Sequence, residues 1–250
     1  MMKKTLLFLP LLLALVTAAA LTLWAGLFPE EAPPLPVRTL EQAIPPQPEP
    51  EPESAAPADW KLTLVSPEHP LPEDYAVTLT RLKNGQAVDE RCYPALQEMM
   101  DACRAEGLEP LICSSYRTWE KQTRLFENKV ARFAAGGLSP EAARAEAARV
   151  VAVPGTSEHQ LGLAVDIVDS AYQLLDDAQA DTPVQQWLMA HASEYGFVLR
   201  YPRDKEDVTG IVWEPWHYRY VGKEAAEEMT AQQLCLEEYL DARSGGGQRA

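Results

Sequence analysis

His159 and Asp166 stand seven positions apart in Ser157-Glu158-His159-Gln160-Leu161-Gly162-Leu163-Ala164-Val165-Asp166, and His217 lies downstream in Glu214-Pro215-Trp216-His217-Tyr218. Two imidazoles, one carboxylate and an open position are what a water-activating zinc ion requires. Such an ion brings the pKa of its water to about 7 and polarises a carbonyl. A carboxylate outside the ligand set must still take the water's proton and pass it to the leaving amine. Glu214, three residues before His217, is the candidate. In an ideal strand the two side chains would face opposite sides, so the pair requires a bend, which Pro215 makes available. Glu158 and Asp169 compete with Asp166 as the carboxylate ligand. Asp166 is preferred because it sits within an apolar run, where a charge needs a partner.

The elements that must position these residues are legible from pattern. Gly162 to Val168 reads as a buried strand that delivers Asp166, and Ile211 to Tyr220 as a strand carrying His217. Further strands are predicted over Leu62–Val65, Val77–Leu82, Leu111–Cys113 and Phe197–Tyr201, with Asn84-Gly85 as a turn. Apolar spacing predicts helices over Tyr93–Glu106 and Trp119–Ala134, the second with Leu125, Val130 and Phe133 inward. Ser139-Pro140 caps a helix extending to about Val151; Asp181-Thr182-Pro183 starts another that ends near Tyr195-Gly196. Lys223 to Tyr239 reads as a last helix. Helices and strands mix without a repeated βαβ rhythm, which predicts an α+β fold with a small, mainly antiparallel sheet flanked by helices.

The 250 residues carry a net charge of −15. Residues 1–58 hold six of the 37 acids and three of the 22 bases, so the remainder is near −12. A surface that negative repels phosphate backbones, and no nucleic-acid partner is expected. Lys3 and Lys4 precede an uncharged run through Phe28, which predicts a signal anchor or transmembrane segment over 1–28. Ala18-Ala19-Ala20 offers the competing reading of a cleaved signal peptide. Ten prolines and six glutamates crowd into 29–58 when Glu30 and Glu31 are included, predicting a disordered tether. The folded domain is then expected over 59–240 and a disordered tail over 241–250. These readings place the domain outside the cell, membrane-anchored, or secreted if the segment is cleaved. Cys92, Cys103, Cys113 and Cys235 allow three full pairings among which the sequence does not choose.

Three words, Ser115-Tyr116-Arg117, Pro154-Gly155-Thr156-Ser157-Glu158-His159-Gln160-Leu161-Gly162-Leu163-Ala164-Val165-Asp166 and Glu214-Pro215-Trp216-His217-Tyr218-Arg219-Tyr220-Val221-Gly222, resemble the VanY-type D-alanyl-D-alanine carboxypeptidases in order and spacing. The resemblance implies one zinc ion bound by His159, Asp166 and His217, with Glu214 as general base. It implies that Arg117 contacts substrate and stabilises the developing oxyanion, with Ser157, Gln122 and Ser115 on the substrate side. Tyr201 matches a substrate-side tyrosine of related L,D-carboxypeptidases. Arg117 also has a rationale of its own, since a guanidinium's planar fork suits a terminal carboxylate or a tetrahedral oxyanion.

The expected function is removal of the terminal D-alanine from peptidoglycan stem peptides by a monomeric enzyme. The alternatives are an L,D-carboxypeptidase acting on tetrapeptide stems and a non-catalytic wall-binding or sensory domain. Retention of Glu214 beside the ligand set argues against the last. His191 and His69 are expected on a helix face and in a loop, and Trp119, Trp187 and Trp213 in the core or the cleft wall.

Overall fold

The computed structural model describes residues 59–246. After a single turn of 3₁₀ helix at Trp60–Leu62, a hairpin joins β1 (Leu79–Arg81) to β2 (Ala87–Asp89), with Gly85 supplying the positive φ of its turn. There follow α1 (Tyr93–Ala105), β3 (Pro110–Ser114), α2 (Trp119–Ala135), α3 (Pro140–Ala148), the one-turn α4 (Glu158–Leu161) and β4 (Ala164–Asp169). The chain continues through α5 (Pro183–His191), β5 (Phe197–Leu199), the short α6 (Glu206–Thr209) and β6 (His217–Tyr220). It closes with α7 (Lys223–Gln232) and α8 (Leu236–Gly246). Among the described residues, two antiparallel sheets with eight α-helices make this the expected α+β architecture.

The second sheet has the order β3-β4-β6-β5, every pair antiparallel. Because side chains alternate along a strand, its two faces differ in chemistry. Val165, Ile167, Tyr218 and Phe197 lie in the main core with Leu96, Met99 and Leu188 of the flanking helices. Asp166 and His217 occupy the other face. They are direct cross-strand partners, and Ser114 of β3 pairs with Asp166 from the opposite side. Every position of β4 is buried, which fits its nearly continuous apolar sequence.

Several expectations are corrected. Leu62–Val65 forms no strand, because Arg219 Nη2 takes the carbonyls of Lys61 and Thr63, both at 2.9 Å, that a neighbouring strand would otherwise use. The strand expected over Ile211–Tyr220 is cut to His217–Tyr220 by a turn in which His217 N–H donates to the Glu214 carbonyl at 3.2 Å. The single helix expected over Lys223–Tyr239 is two, divided where Gln233 takes φ 55°. On α2 the inward residues are Gln122 and Phe126, while Leu125 is 38% exposed. Helix α8 runs past Leu240 to Gly246.

Cys92, Cys103, Cys113 and Cys235 form no disulfide among the described residues. No helix among the described residues is long and apolar enough to cross a membrane. The anchor expected over 1–28 and the tether over 29–58 lie outside those residues. The membrane-anchored surface location inferred from them is therefore withdrawn.

Candidate metal centre

A small motif builds the first half of the centre. The loop before α4 turns at Gly155, whose φ of 88° brings its Cα so close to Trp119 that an added Cβ would sit 2.7 Å from the ring. Gly162 closes α4 in the left-handed conformation, and the chain then enters β4. The one helical turn sets His159 beside the sheet, and β4 brings Asp166 up beneath it. The turn at Pro215-Trp216 supplies the second half. It reverses the side-chain alternation, so that Glu214 and His217 meet on the same side as the bend expectation requires, with Glu214 Oε2 3.8 Å from His217 Nδ1.

One ligand-type atom from each of His159, Asp166 and His217 lies within 4.8 Å of the others, and all three residues are buried. His159 Nδ1 faces the Ser115 carbonyl at 2.9 Å, so it carries the proton and leaves Nε2, 3.2 Å from Asp166 Oδ2, free to ligate. His217 turns Nδ1 toward Asp166 Oδ1 at 3.0 Å and Nε2 toward Glu158 Oε2 at 3.5 Å. Two neutral imidazole nitrogens and one carboxylate, converging at the floor of an open cleft of about 250 Å³, fit a catalytic zinc with a coordination position left over.

The electrostatics agree with that donor set. Burial would raise Asp166, but the flanking imidazoles and Arg117 outweigh it and hold the carboxylate well below its ordinary range. Burial and the nearby Arg117 charge push His159 down to about 4, keeping it neutral. Burial also acts to lower His217, yet its hydrogen bond to Asp166 and the facing Glu158 carboxylate raise it to about 9. In the metal-free protein, then, a proton occupies the place a cation would take. Burial, helped by the charge of Asp166, pushes Glu214 up to about 7 against the pull of His217 and Arg117. A carboxylate poised near neutrality is what proton transfer needs.

Arg117 is held on three sides. Its Nε donates to Ser114 Oγ at 3.0 Å, Nη1 to Gln122 Oε1 at 3.3 Å and Nη2 to Asp166 Oδ2 at 2.8 Å. Three of five N–H donors are committed, leaving one on each terminal nitrogen for the cleft. Tyr201 packs its ring 4.8 Å from that of His217, and both Tyr201 and Ser157 line the cleft with Arg117, Glu214 and Trp216.

Two of the expected substrate residues are placed elsewhere. Gln122 is fully buried, and its amide nitrogen donates to the Ala152 carbonyl at 2.7 Å while its oxygen holds Arg117. Ser115 is also fully buried, its hydroxyl donating to Gln86 and accepting from Ala87 N–H. Neither side chain lines the cleft. Of the competing carboxylates, Asp169 sits at the far end of β4, where Oδ1 accepts from Ala171 N–H, and Glu158 lies behind His217. Sequence reasoning left Arg200 and Arg219 unassigned, although both are buried. Arg219 had a usable signal: two residues after His217 on a strand, it must share that residue's face. His191 is paired with Glu194 at 2.8 Å and Trp213 borders Arg203, both away from the metal ligands.

Comparison with known proteins gives the same direction. The family model described as VanY, D-alanyl-D-alanine carboxypeptidase, matches residues 85–223. A D-alanyl-D-alanine carboxypeptidase of Enterococcus faecalis is 48% identical over 184 residues, covering 73% of this chain and 66% of that protein. A structure of VanYB in complex with D-alanine-D-alanine is 48% identical with a TM-score of 0.67, covering 73% of this chain and 98% of the other. A VanY mutant in complex with Zn(II) is 48% identical with a TM-score of 0.66, covering 72% of this chain and 99% of the other. The chain thus spans slightly under two thirds of the enterococcal enzyme's length and nearly all of the two crystallised chains.

Proposed function

Since this chain belongs to the VanY D-alanyl-D-alanine carboxypeptidase family, we propose that it is a zinc carboxypeptidase removing the terminal D-alanine from peptidoglycan stem peptides that end in D-Ala-D-Ala. The observation that carries this is the convergence of His159, Asp166 and His217 beside a carboxylate, Glu214, that takes no part in the ligand set. The relatives' zinc and D-Ala-D-Ala complexes support the choice of metal and substrate. We assign the activity to the domain over 59–240.

His159 Nε2, Asp166 and His217 Nδ1 would hold one zinc ion. Zinc bound there activates a water and polarises the scissile carbonyl. Glu214 takes the proton that the attacking water loses as its oxygen bonds to the carbonyl carbon. It then delivers that proton to the departing D-alanine nitrogen as the C–N bond breaks. Arg117 turns its two uncommitted N–H groups to the developing oxyanion or the terminal carboxylate, and Gln122 and Ser114 keep its fork in plane. Ser157 and Tyr201 form the wall against which the peptide end lies.

Defined stem peptides test this. Zinc-supplemented protein incubated with a pentapeptide ending in D-Ala-D-Ala yields, by mass spectrometry, the tetrapeptide and free alanine. Cleavage of a tetrapeptide stem alone replaces the D,D assignment with an L,D one, and no product from either peptide overturns both.

A further inference from the structure

Behind the metal ligands lies a buried charged cluster that the mechanism does not use. Glu158, the first residue of α4, is 1% exposed. Its Oε1 accepts from Arg200 Nε at 2.8 Å and from Arg219 Nη1 at 2.7 Å. Arg219 is pinned by the Lys61 and Thr63 carbonyls, and Arg200 grips Glu237 of α8 through both terminal nitrogens at 2.9 and 2.6 Å. The carboxylate is therefore fixed in place by two guanidiniums anchored at opposite ends of the domain's sequence. Burial alone would raise its pKa, but the two arginines reverse the effect and keep it charged.

Its other oxygen, Oε2, has no hydrogen-bond partner, and neither does Nε2 of His217. The two orphans face each other at 3.5 Å. Buried polar atoms without partners are rare, and a donor and an acceptor left unpaired side by side are a few tenths of an ångström from satisfying one another. We propose that Glu158 is a positioning residue for the metal centre, accepting the Nε2–H of His217 so that Nδ1 is the unprotonated nitrogen turned toward His159 and Asp166. The inference rests on the metal-site reading above. A histidine that ligates through one nitrogen needs an acceptor for the proton on the other, which fixes both tautomer and ring plane. Three charges taken out of water at one place cost more than apolar packing of similar volume, and holding one imaginable ring orientation gives that cost a purpose.

Two substitutions and two readouts test it. In Glu158→Gln the amide either presents N–H to His217, favouring the tautomer that cannot ligate, or turns N–H toward the arginines. Glu158→Asp keeps the charge facing Arg200 and Arg219 but withdraws the carboxylate by one methylene, so it is the variant expected to fold in any event. Zinc affinity is measured by chelator competition on protein shown to be folded by circular dichroism. The His217 Nε2–H resonance is followed in zinc-loaded protein labelled with ¹⁵N-histidine. Both variants are expected to bind zinc about 10- to 100-fold more weakly, the usual effect of removing such a partner, and to lose or shift that resonance. A folded Glu158→Asp protein with wild-type zinc affinity and an unchanged resonance overturns the inference. Wild-type protein that takes up no zinc overturns the metal-site reading itself, a result distinct from the first.

Discussion

Replacing Glu214 by glutamine separates proton transfer from metal binding. The amide keeps the side-chain volume, and the two backbone hydrogen bonds that build the turn, Glu214 N–H to Tyr201 O and His217 N–H to Glu214 O, both at 3.2 Å, are untouched. Glu214 makes no side-chain hydrogen bond to His159, Asp166 or His217; its Oε2 stands 3.8 Å from His217 Nδ1. Zinc content is therefore expected to stay near one per chain. Activity is not. A positioned general acid–base contributes about 10²- to 10⁴-fold. The upper part of that range applies because no second carboxylate can substitute: Asp166 lies within the ligand set, and Glu158 is held by two arginines behind His217. A fall in kcat/KM of about 10³ or more is expected, close to 4 kcal/mol of transition-state stabilisation. The assay is release of D-alanine from a pentapeptide stem, normalised to zinc measured by atomic spectrometry. A zinc-loaded Glu214→Gln enzyme retaining more than about a tenth of wild-type kcat/KM would remove Glu214 from proton transfer.

Three further outcomes follow from other parts of the site. Arg117→Lys exchanges a fork held by Ser114, Gln122 and Asp166 for a single ammonium, so kcat/KM on the same peptide should fall about 10²-fold with zinc content preserved. Gly155→Ala adds a methyl group at φ 88° that meets the Trp119 ring at 2.7 Å; a loss of about 2 kcal/mol or more, read as a lower Tm, is expected. Zinc must displace the proton that His217 holds up to about pH 9 in the metal-free protein, so zinc affinity should rise with pH up to about 9 and level off above that value. Calorimetry in buffers of different ionisation enthalpy reports the released proton.

The candidate ligands were legible in the sequence less from each residue taken singly than from the words around them and the order of those words along the chain. His159 sits in a one-turn helix opened by Glu158 and closed by a positive-φ glycine, Asp166 interrupts an apolar strand, and Pro215 announces the bend between Glu214 and His217. The helices over Tyr93–Ala105 and Trp119–Ala135 were legible because their periodicity is contained within the element. What pattern could not carry was pairing at a distance. Leu62–Val65 has strand-like composition, yet the carbonyls of Thr63 and of the preceding Lys61 are claimed by an arginine more than 150 residues away. Helix α2, packed against α3, buries Phe126 and leaves Leu125 38% exposed, a difference that periodicity within one helix does not carry. Gln122 and Ser115 illustrate the same limit within the site. Ser115 stands in one of the three words and Gln122 came with the resemblance, but only the tertiary structure shows that Gln122 clamps Arg117 and that Ser115, through its carbonyl, orients His159.

The most direct measurement is a zinc titration of chelator-stripped protein, with D-alanine release from a D-Ala-D-Ala pentapeptide followed at each addition. Activity should be absent without metal, rise in proportion to zinc and break at one ion per chain, and the break should vanish in His159→Ala. Full turnover by the stripped protein, or zinc binding in His159→Ala indistinguishable from wild type, would contradict a catalytic zinc held by His159, Asp166 and His217.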